Sequence, residues 1–179
     1  LALGKFGGGG LDYDSDLDLV MVYDDSFRHP ESGVEPSEFF ARAVEILTNV
    51  LSSITRDGSL YRVDLRLRPF GNKGPVASSR SAFLDYFRST AAIWEMLAFV
   101  KLRAVGGDMK LALSVEEEVR AIIHSRALEI DPSELARETR SVRDRLEKQK
   151  LGRRRTKDID IKYGEGGLLD VYFAIRYLQ

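Results

Sequence analysis

The sequence contains no cysteine, which removes both a disulfide framework and any thiolate metal site and fits a reducing, cytoplasmic setting. It lacks an excess of either charge: 27 Lys and Arg stand against 28 Asp and Glu, a formal net charge of -1. Proteins that grip a phosphate backbone usually carry a basic stripe, with aromatic residues interleaved when the strand is single. Neither pattern is present, so nucleic acid is not the expected partner. Long hydrophobic runs are missing as well. Stretches such as Ala91 to Val100 are broken by a charge, so none is suited to cross a bilayer, and no signal-peptide pattern is visible. There is no internal repeat and no low-complexity tract.

What remains is an ordinary globular balance, 44% apolar and 31% charged over 179 residues, enough to build one buried core. The chain begins at Leu1 without methionine and ends at Gln179 inside an apolar helical pattern, so a piece of a longer protein is expected.

The spacing predicts strands first and helices afterwards. Asp16 to Tyr23 reads as a buried strand, and Leu1 to Lys5 as a short strand ahead of it. After Pro36, residues Phe39, Ala43, Ile46, Leu47, Val50 and Ile54 recur at helical spacing, the mark of an amphipathic helix. Tyr61 to Arg68 alternates with period two, placing Val63, Leu65 and Leu67 on one face and Arg62, Asp64, Arg66 and Arg68 on the other. Helices are then predicted over Ser81 to Arg88 and Ala91 to Arg103, and from a capping box at Ser114 to Glu117. A further helix starts at Asp131, Pro132 and Glu134. A basic loop at Arg153 to Lys157, a strand at Ile159 to Tyr163, a glycine turn at Gly164 to Gly167 and an apolar helix close the chain. The resulting class is α+β, with a catalytic core over residues 1–105 and a helical region over 106–179.

The stretch Gly7 to Leu19, GGGGLDYDSDLDL, sets a glycine-rich turn before two acids one residue apart. Period two places Asp16 and Asp18 on one strand face while Leu17 and Leu19 anchor the other. Like charges held that close need a proton or a cation between them. Magnesium is the natural candidate, because it takes a few carboxylate oxygens, keeps its waters and completes its shell with substrate phosphates. A nucleoside triphosphate such as ATP is then implied. Gly7 and Gly8 allow close backbone approach to phosphate, and the Ser15 hydroxyl can donate to it. Asp64 supplies a third carboxylate beside Arg66 and Arg68, whose guanidinium groups suit phosphate. Taken one by one, these features read equally as a turn, a solvated strand edge and a surface ion-pair ladder.

Five segments together resemble glutamine synthetase adenylyltransferases: GKFGG at Gly4 to Gly8, SDLDL at Ser15 to Leu19, VDLRLRPFGNKGP at Val63 to Pro75, WEMLAFVKLRAVGGD at Trp94 to Asp108, and DIKYGEGGLLDVYF at Asp160 to Phe173. The resemblance implies a DNA polymerase β-like nucleotidyltransferase fold followed by a helical bundle. It implies AMP transfer from ATP to a tyrosine of glutamine synthetase, or phosphorolytic removal of that AMP, with a PII-type signalling protein as a possible regulator. By the same resemblance Asp16, Asp18 and Asp64 are the metal-binding acids, Gly7, Gly8 and Ser15 form the nucleotide loop, and Arg66, Arg68 and Lys101 are phosphate-side cations. On sequence alone Lys101 reads as a helix-surface lysine. The glycine run Gly7 to Gly10 exceeds the family's usual pair, and an acid usually found two residues after Asp170 is replaced by Tyr172. A catalytically silent nucleotide-binding module is the alternative that the second departure raises.

Overall fold

Helices cover two pairs of short parallel strands, one of which carries Asp18 and Asp64. In the computed structural model, which describes residues 1–30, 33–56, 58–151 and 160–178, β1 (Leu17–Asp18) pairs with β3 (Val63–Asp64), and β2 (Met21–Tyr23) pairs with β4 (Ala77–Ser79). The helices are α1 (Gly4–Gly7), α2 (Pro36–Ser52), α3 (Arg80–Ser89), α4 (Ile93–Phe99), α5 (Met109–Glu129), α6 (Pro132–Leu151) and α7 (Leu168–Leu178). The described residues are therefore a mixed α/β structure, mostly helical. Among them no helix is long and apolar enough to cross a membrane.

The strand expected over Asp16 to Tyr23 is split at Val20. Leu1 takes the main-chain groups there: the Val20 N–H donates to the Leu1 carbonyl at 3.0 Å, and the Leu1 nitrogen donates to the Val20 carbonyl at 3.0 Å. Leu1 to Lys5 is likewise no strand. Ala2 makes single antiparallel bridges to Leu19 and Arg103, and Gly4, at φ +55°, turns the chain into α1.

Tyr61 to Arg68 keeps only Val63 and Asp64 in a strand. The Asp64 carboxylate accepts the Arg66 N–H at 2.8 Å and pulls the next residues into a turn, the usual effect of an Asp side chain bonding two residues ahead. Arg66 and Arg68 consequently leave the alternating face on which the spacing placed them.

One core joins Leu1, Leu3 and Val20 to Phe83 and Phe87 of α3, Phe99 of α4, and Val115, Val119 and Ile123 of α5. The Phe87 ring lies 5.3 Å from Phe83 and 4.5 Å from Phe99 between centroids, a tilted aromatic cluster of the kind that dominates small cores. Beside it the Tyr86 hydroxyl donates to the buried Glu95 carboxylate at 2.6 Å. Burial, then that bond and the Glu95 charge, push the Tyr86 phenol up to about 12.

Helix α2 forms where predicted, but its apolar stripe faces outward. Only Val44 is buried, whereas Ile46 is 59% and Val50 62% exposed. Phe39 and Phe40 instead stack on Phe27 and Tyr23. Replacing Ile46 and Val50 by Gln is thus expected to change the stability of this chain by no more than about 0.5 kcal/mol, as at other exposed positions. A urea titration checks it, and a clear loss of stability would place the stripe in the core.

Helix α5 begins earlier than the capping box suggested. Asp108 caps it, accepting from Lys110 N at 3.0 Å and Leu111 N at 3.1 Å, and Ser114 lies inside the helix, bonding to Glu118. At α6 the expected cap is present: Asp131 accepts from Ser133 N at 2.9 Å and Glu134 N at 3.3 Å. The basic loop Arg153 to Lys157 and Ile159 lie outside the described residues. Residues 161–163 form a turn, not a strand, because Asp160 accepts both the Lys162 and the Tyr163 N–H. Arg143 of α6 forks onto Asp170 of α7, with Nε at 2.5 Å and Nη2 at 3.2 Å, and the Gly166 N–H donates to the same carboxylate at 2.6 Å. These bonds fix how α7 lies against α6.

Candidate active site

The register of β1 and β3 sets Asp18 directly beside Asp64. Leu17 and Leu19 are buried at 6% and 7% exposure, so the alternation that anchors them turns Asp16 and Asp18 to the opposite face. Asp18 is half-buried and Asp16 exposed. Burial, then repulsion from Asp64 and Asp16, push the Asp18 carboxyl above its ordinary value, with Arg66 and Arg176 offsetting part of the rise. Asp64 moves the other way: the Arg66 side-chain hydrogen bonds outweigh burial and hold it below the usual carboxylate range.

Two of the three acids are held by arginines. Arg62 donates from Nε to Asp16 at 2.8 Å and from Nη2 to the Asp14 carbonyl at 3.0 Å. Arg66 forks onto Asp64, with Nε at 2.9 Å and Nη2 at 2.5 Å from Oδ2. Asp18 forms no ion pair among the described residues. With Asp16 drawn toward Arg62 and Asp64 toward Arg66, no three acidic or histidine side chains among the described residues converge closely enough to hold a metal ion. The donor chemistry nonetheless fits magnesium. These are hard carboxylate oxygens, and Asp18 carries the strain of unrelieved like charge that a cation removes.

A cleft of roughly 500 Å³ runs along Asp16, Arg62, Asp64, Arg66, Arg68 and Asn72. Arg68 lines it while serving its own loop, donating from Nε to the Gly74 carbonyl at 3.1 Å and from Nη1 to the Leu65 carbonyl at 2.8 Å. The exposed Arg66 is the more available of the two for phosphate.

The glycine turn has a different use from the one its composition suggests. The N–H groups of Gly7, Gly8, Gly9 and Gly10 all donate within the turn, to the carbonyls of Leu3, Gly4, Phe6 and Lys5. They are not free donors for a phosphate. Close approach is what requires glycine here. A Cβ on Gly4 would stand 2.0 Å from an Asp18 oxygen, and one on Gly7 would stand 2.3 Å from the Lys101 carbonyl. Ser15 accepts from the Lys5 ammonium at 3.3 Å, and the same ammonium pairs with Asp12 at 2.7 Å.

Lys101 is not on a helix surface. It follows the end of α4, and its Nζ lies 3.5 Å from the position a Cβ on Gly8 would occupy and 4.2 Å from the Tyr172 ring centroid.

Comparison with known sequences decides what this constellation belongs to. The family model for glutamate-ammonia ligase adenylyltransferase matches residues 1–118, the stretch that holds all three acids, the glycine turn and Lys101. The chain belongs to that family. It is similar to the bifunctional glutamine synthetase adenylyltransferase/adenylyl-removing enzyme of Bartonella quintana, 40% identical over 181 residues covering 99% of this chain and 18% of that protein. The corresponding protein of Mesorhizobium japonicum is 39% identical over 97% of this chain and 17% of its own length. That of Chromobacterium violaceum is 38% identical, with 99% and 18% covered. The chain thus spans about 18% of the length of such adenylyltransferases.

Two residues beside these acids carry no mark in the sequence of this family member. Arg62 was placed on the charged face of its strand, but nothing local marked it as the partner of Asp16, 46 residues away. Arg176 sits on α7, and its charge is felt at Asp18. No spacing rule links positions on separate elements so far apart in the chain.

Proposed function

We propose that this chain carries the nucleotidyl-transfer centre of an enzyme that moves AMP from ATP to a tyrosine hydroxyl of glutamine synthetase. The observation that carries the reading is the β1–β3 register, which sets Asp18 beside Asp64 with Asp16 two residues back on the same face. Short parallel strands bearing acids, followed by helices, support assignment to the DNA polymerase β-like nucleotidyltransferases. The adenylyltransferase names of the relatives support the choice of substrate.

In this reading Asp16 and Asp18 hold magnesium, with Asp64 as the third acid. The ion, when bound, supplies positive charge that offsets the triphosphate and the leaving pyrophosphate. Asp64 positions the tyrosine hydroxyl and accepts its proton as the oxygen bonds to the α-phosphorus and the bond from that phosphorus to the pyrophosphate oxygen breaks. Arg66, released from Asp64, turns to the phosphates, where a planar guanidinium can hold two oxygens at once. Arg62 relinquishes Asp16 in the same exchange. Both arginines thereby keep the acids from repelling one another before substrate arrives.

The test is incubation of the chain with magnesium, α-labelled ATP and unmodified glutamine synthetase. Label is expected on a glutamine synthetase tyrosine, with pyrophosphate released. Modified glutamine synthetase with phosphate, yielding ADP, is the arm that would reverse the direction. Nucleotide binding with neither product would replace the reading with a silent regulatory module.

A further inference from the structure

An open hollow of roughly 950 Å³ lies beside Asp16, between the turn that precedes β1 and the one that precedes β3, residues 11–15 and 59–62. Arg62 lines both this hollow and the acid cleft, so the two meet at its side chain. The same residue fastens one rim to the other. Its Nη2 donates to the Asp14 carbonyl at 3.0 Å, its Nε donates to Asp16 at 2.8 Å, and its carbonyl accepts the Leu17 N–H at 2.8 Å. The second rim is also tied to the end of α2, where the Tyr61 N–H donates to the Leu51 carbonyl at 3.0 Å.

Three large side chains stand uncovered on these rims: Tyr13 is fully exposed, Leu60 69% and Tyr61 40%. One exposed apolar residue is ordinary, but several around one hollow mark a surface that another molecule covers. Two exposed acids share the first rim. Asp14, held at φ +60°, forms no ion pair among the described residues, and Asp12 pairs with the Lys5 ammonium where water reaches both, so that pair is easily exchanged. The chemistry determines what approaches from this side. In an in-line displacement the attacking oxygen and the leaving phosphate lie on opposite sides of the phosphorus. Arg66 and Arg68 line the acid cleft but not this hollow. Phosphates gathered by Arg66 therefore leave the Arg62 side to the attacking hydroxyl, and the acids of the rim repel phosphate from it.

We propose that the two rims are the docking surface for the acceptor protein, with Tyr13, Leu60 and Tyr61 as apolar anchors and with Asp12 and Asp14 drawing in a basic side chain next to the tyrosine to be modified. The proposal rests on the nucleotidyl-transfer reading for the identity of its occupant. Tyrosine suits the task, because it offers a large apolar ring with a polar tip on few rotatable bonds. Rims already fastened together by Arg62 lose little freedom when the acceptor settles on them. The acceptor segment then runs from this hollow past Arg62 to the acids, which is the path its hydroxyl must take.

Calorimetric titration of the 179-residue chain with unmodified glutamine synthetase, without nucleotide or divalent ions, tests docking apart from transfer. Tyr13→Ser and Leu60→Ser are each expected to weaken binding about tenfold, the loss of one interface anchor, and to change ATP affinity by less than about twofold. Asp14→Lys should weaken it about tenfold at low salt and less at high salt, and Asp14→Asn, which tolerates the same backbone conformation, about threefold. These side chains are exposed, so the melting temperatures should stay where they are. Should one variant fail to fold, the other anchor, on a separate turn, carries the test. Unchanged affinity in both anchor variants would overturn the proposal, and so would failure of the unaltered chain to bind glutamine synthetase. Self-association of the chain that the same variants abolish, followed by sedimentation, would give the surface to a second copy instead. A chain that docks through these residues yet transfers no AMP would overturn only the function proposed above, whereas transfer with the acceptor KM unchanged in both variants would overturn only the docking surface.

Discussion

Asp18→Asn is expected to lower AMP transfer by about a thousandfold or more, roughly 4 kcal/mol of barrier, while making the ligand-free chain slightly more stable. Both halves follow from one feature. Asp18 is half-buried between Asp16 and Asp64 and is the acid of the three that no arginine pairs with. Its carboxyl is raised above the ordinary 3.8 by burial first, then by Asp64 and Asp16. A carboxyl raised on folding binds more protons in the folded than in the unfolded state over the interval above 3.8, so stability falls as pH rises through that interval. At neutral pH the charge is a cost that Asn does not carry. Solvent screening keeps the gain under about 1 kcal/mol, and the melting temperature should rise by about 1–3 °C. The same substitution removes the oxygen donor that the like-charge strain makes most receptive to a cation. Labelled-ATP assays and thermal melts at neutral pH and near pH 4 check the pair of effects, and the melting difference should shrink at the acid end. Unaltered transfer would remove Asp18 from the centre, and a lower melting temperature at neutral pH would contradict the unpaired charge.

Asp64 should behave oppositely. Its carboxyl is depressed by the Arg66 hydrogen bonds, so its contribution to stability is present above the unfolded value and is lost as pH falls through the folded one. Neighbouring acids in one cleft thus have opposite electrostatic roles before any substrate binds. In the mechanism proposed above, that contrast would separate the acid that takes the cation from the acid that takes the proton.

Much of this site was legible in the residues because local rules govern it. Period two in Asp16–Leu17–Asp18–Leu19 determines which side chains share a face, and the buried leucines hold it so. Asp131, Pro132 and Glu134 start α6 for reasons confined to a single turn. Local rules failed where a distant element intervened. Leu1 interrupts a strand that its own sequence would have continued, and the Asp64 carboxylate curls Arg66 and Arg68 out of alternation. The apolar stripe of α2 had the right period for a core helix, yet periodicity states only that a face is apolar, not that this chain covers it. Arg176 was invisible for a similar reason: it reaches the site because Arg143, Asp170 and Gly166 fix α7 against α6, a long-range arrangement with no signature at residue 176 itself.

Gly7→Ala is expected to be the most destabilising single methyl in the glycine run, by about 3 kcal/mol, the upper part of the usual overpacking range. The new Cβ would lie 2.3 Å from the Lys101 carbonyl and 2.8 Å from the Ala2 carbonyl. Both obstacles are backbone and cannot rotate away. Ala2 is moreover locked to Arg103 by two hydrogen bonds, from Ala2 N at 2.8 Å and back from Arg103 N at 3.0 Å. Yielding space would therefore pull the segment after α4 from the strand edge, and Lys101 with it. For a chain of this length the loss corresponds to a melting temperature lower by roughly 6–12 °C. Gly10→Ala is the control: its Cβ would meet nothing within 4 Å, and its φ is not positive, so reduced freedom of the unfolded chain should leave stability unchanged or up to about 1 kcal/mol higher. Two methyls three residues apart in one glycine run should thus differ in sign. Equal melting temperatures would mean that the run is a loose loop, and that the backbone contact at Gly7 does not hold Lys101 in place beside Gly8.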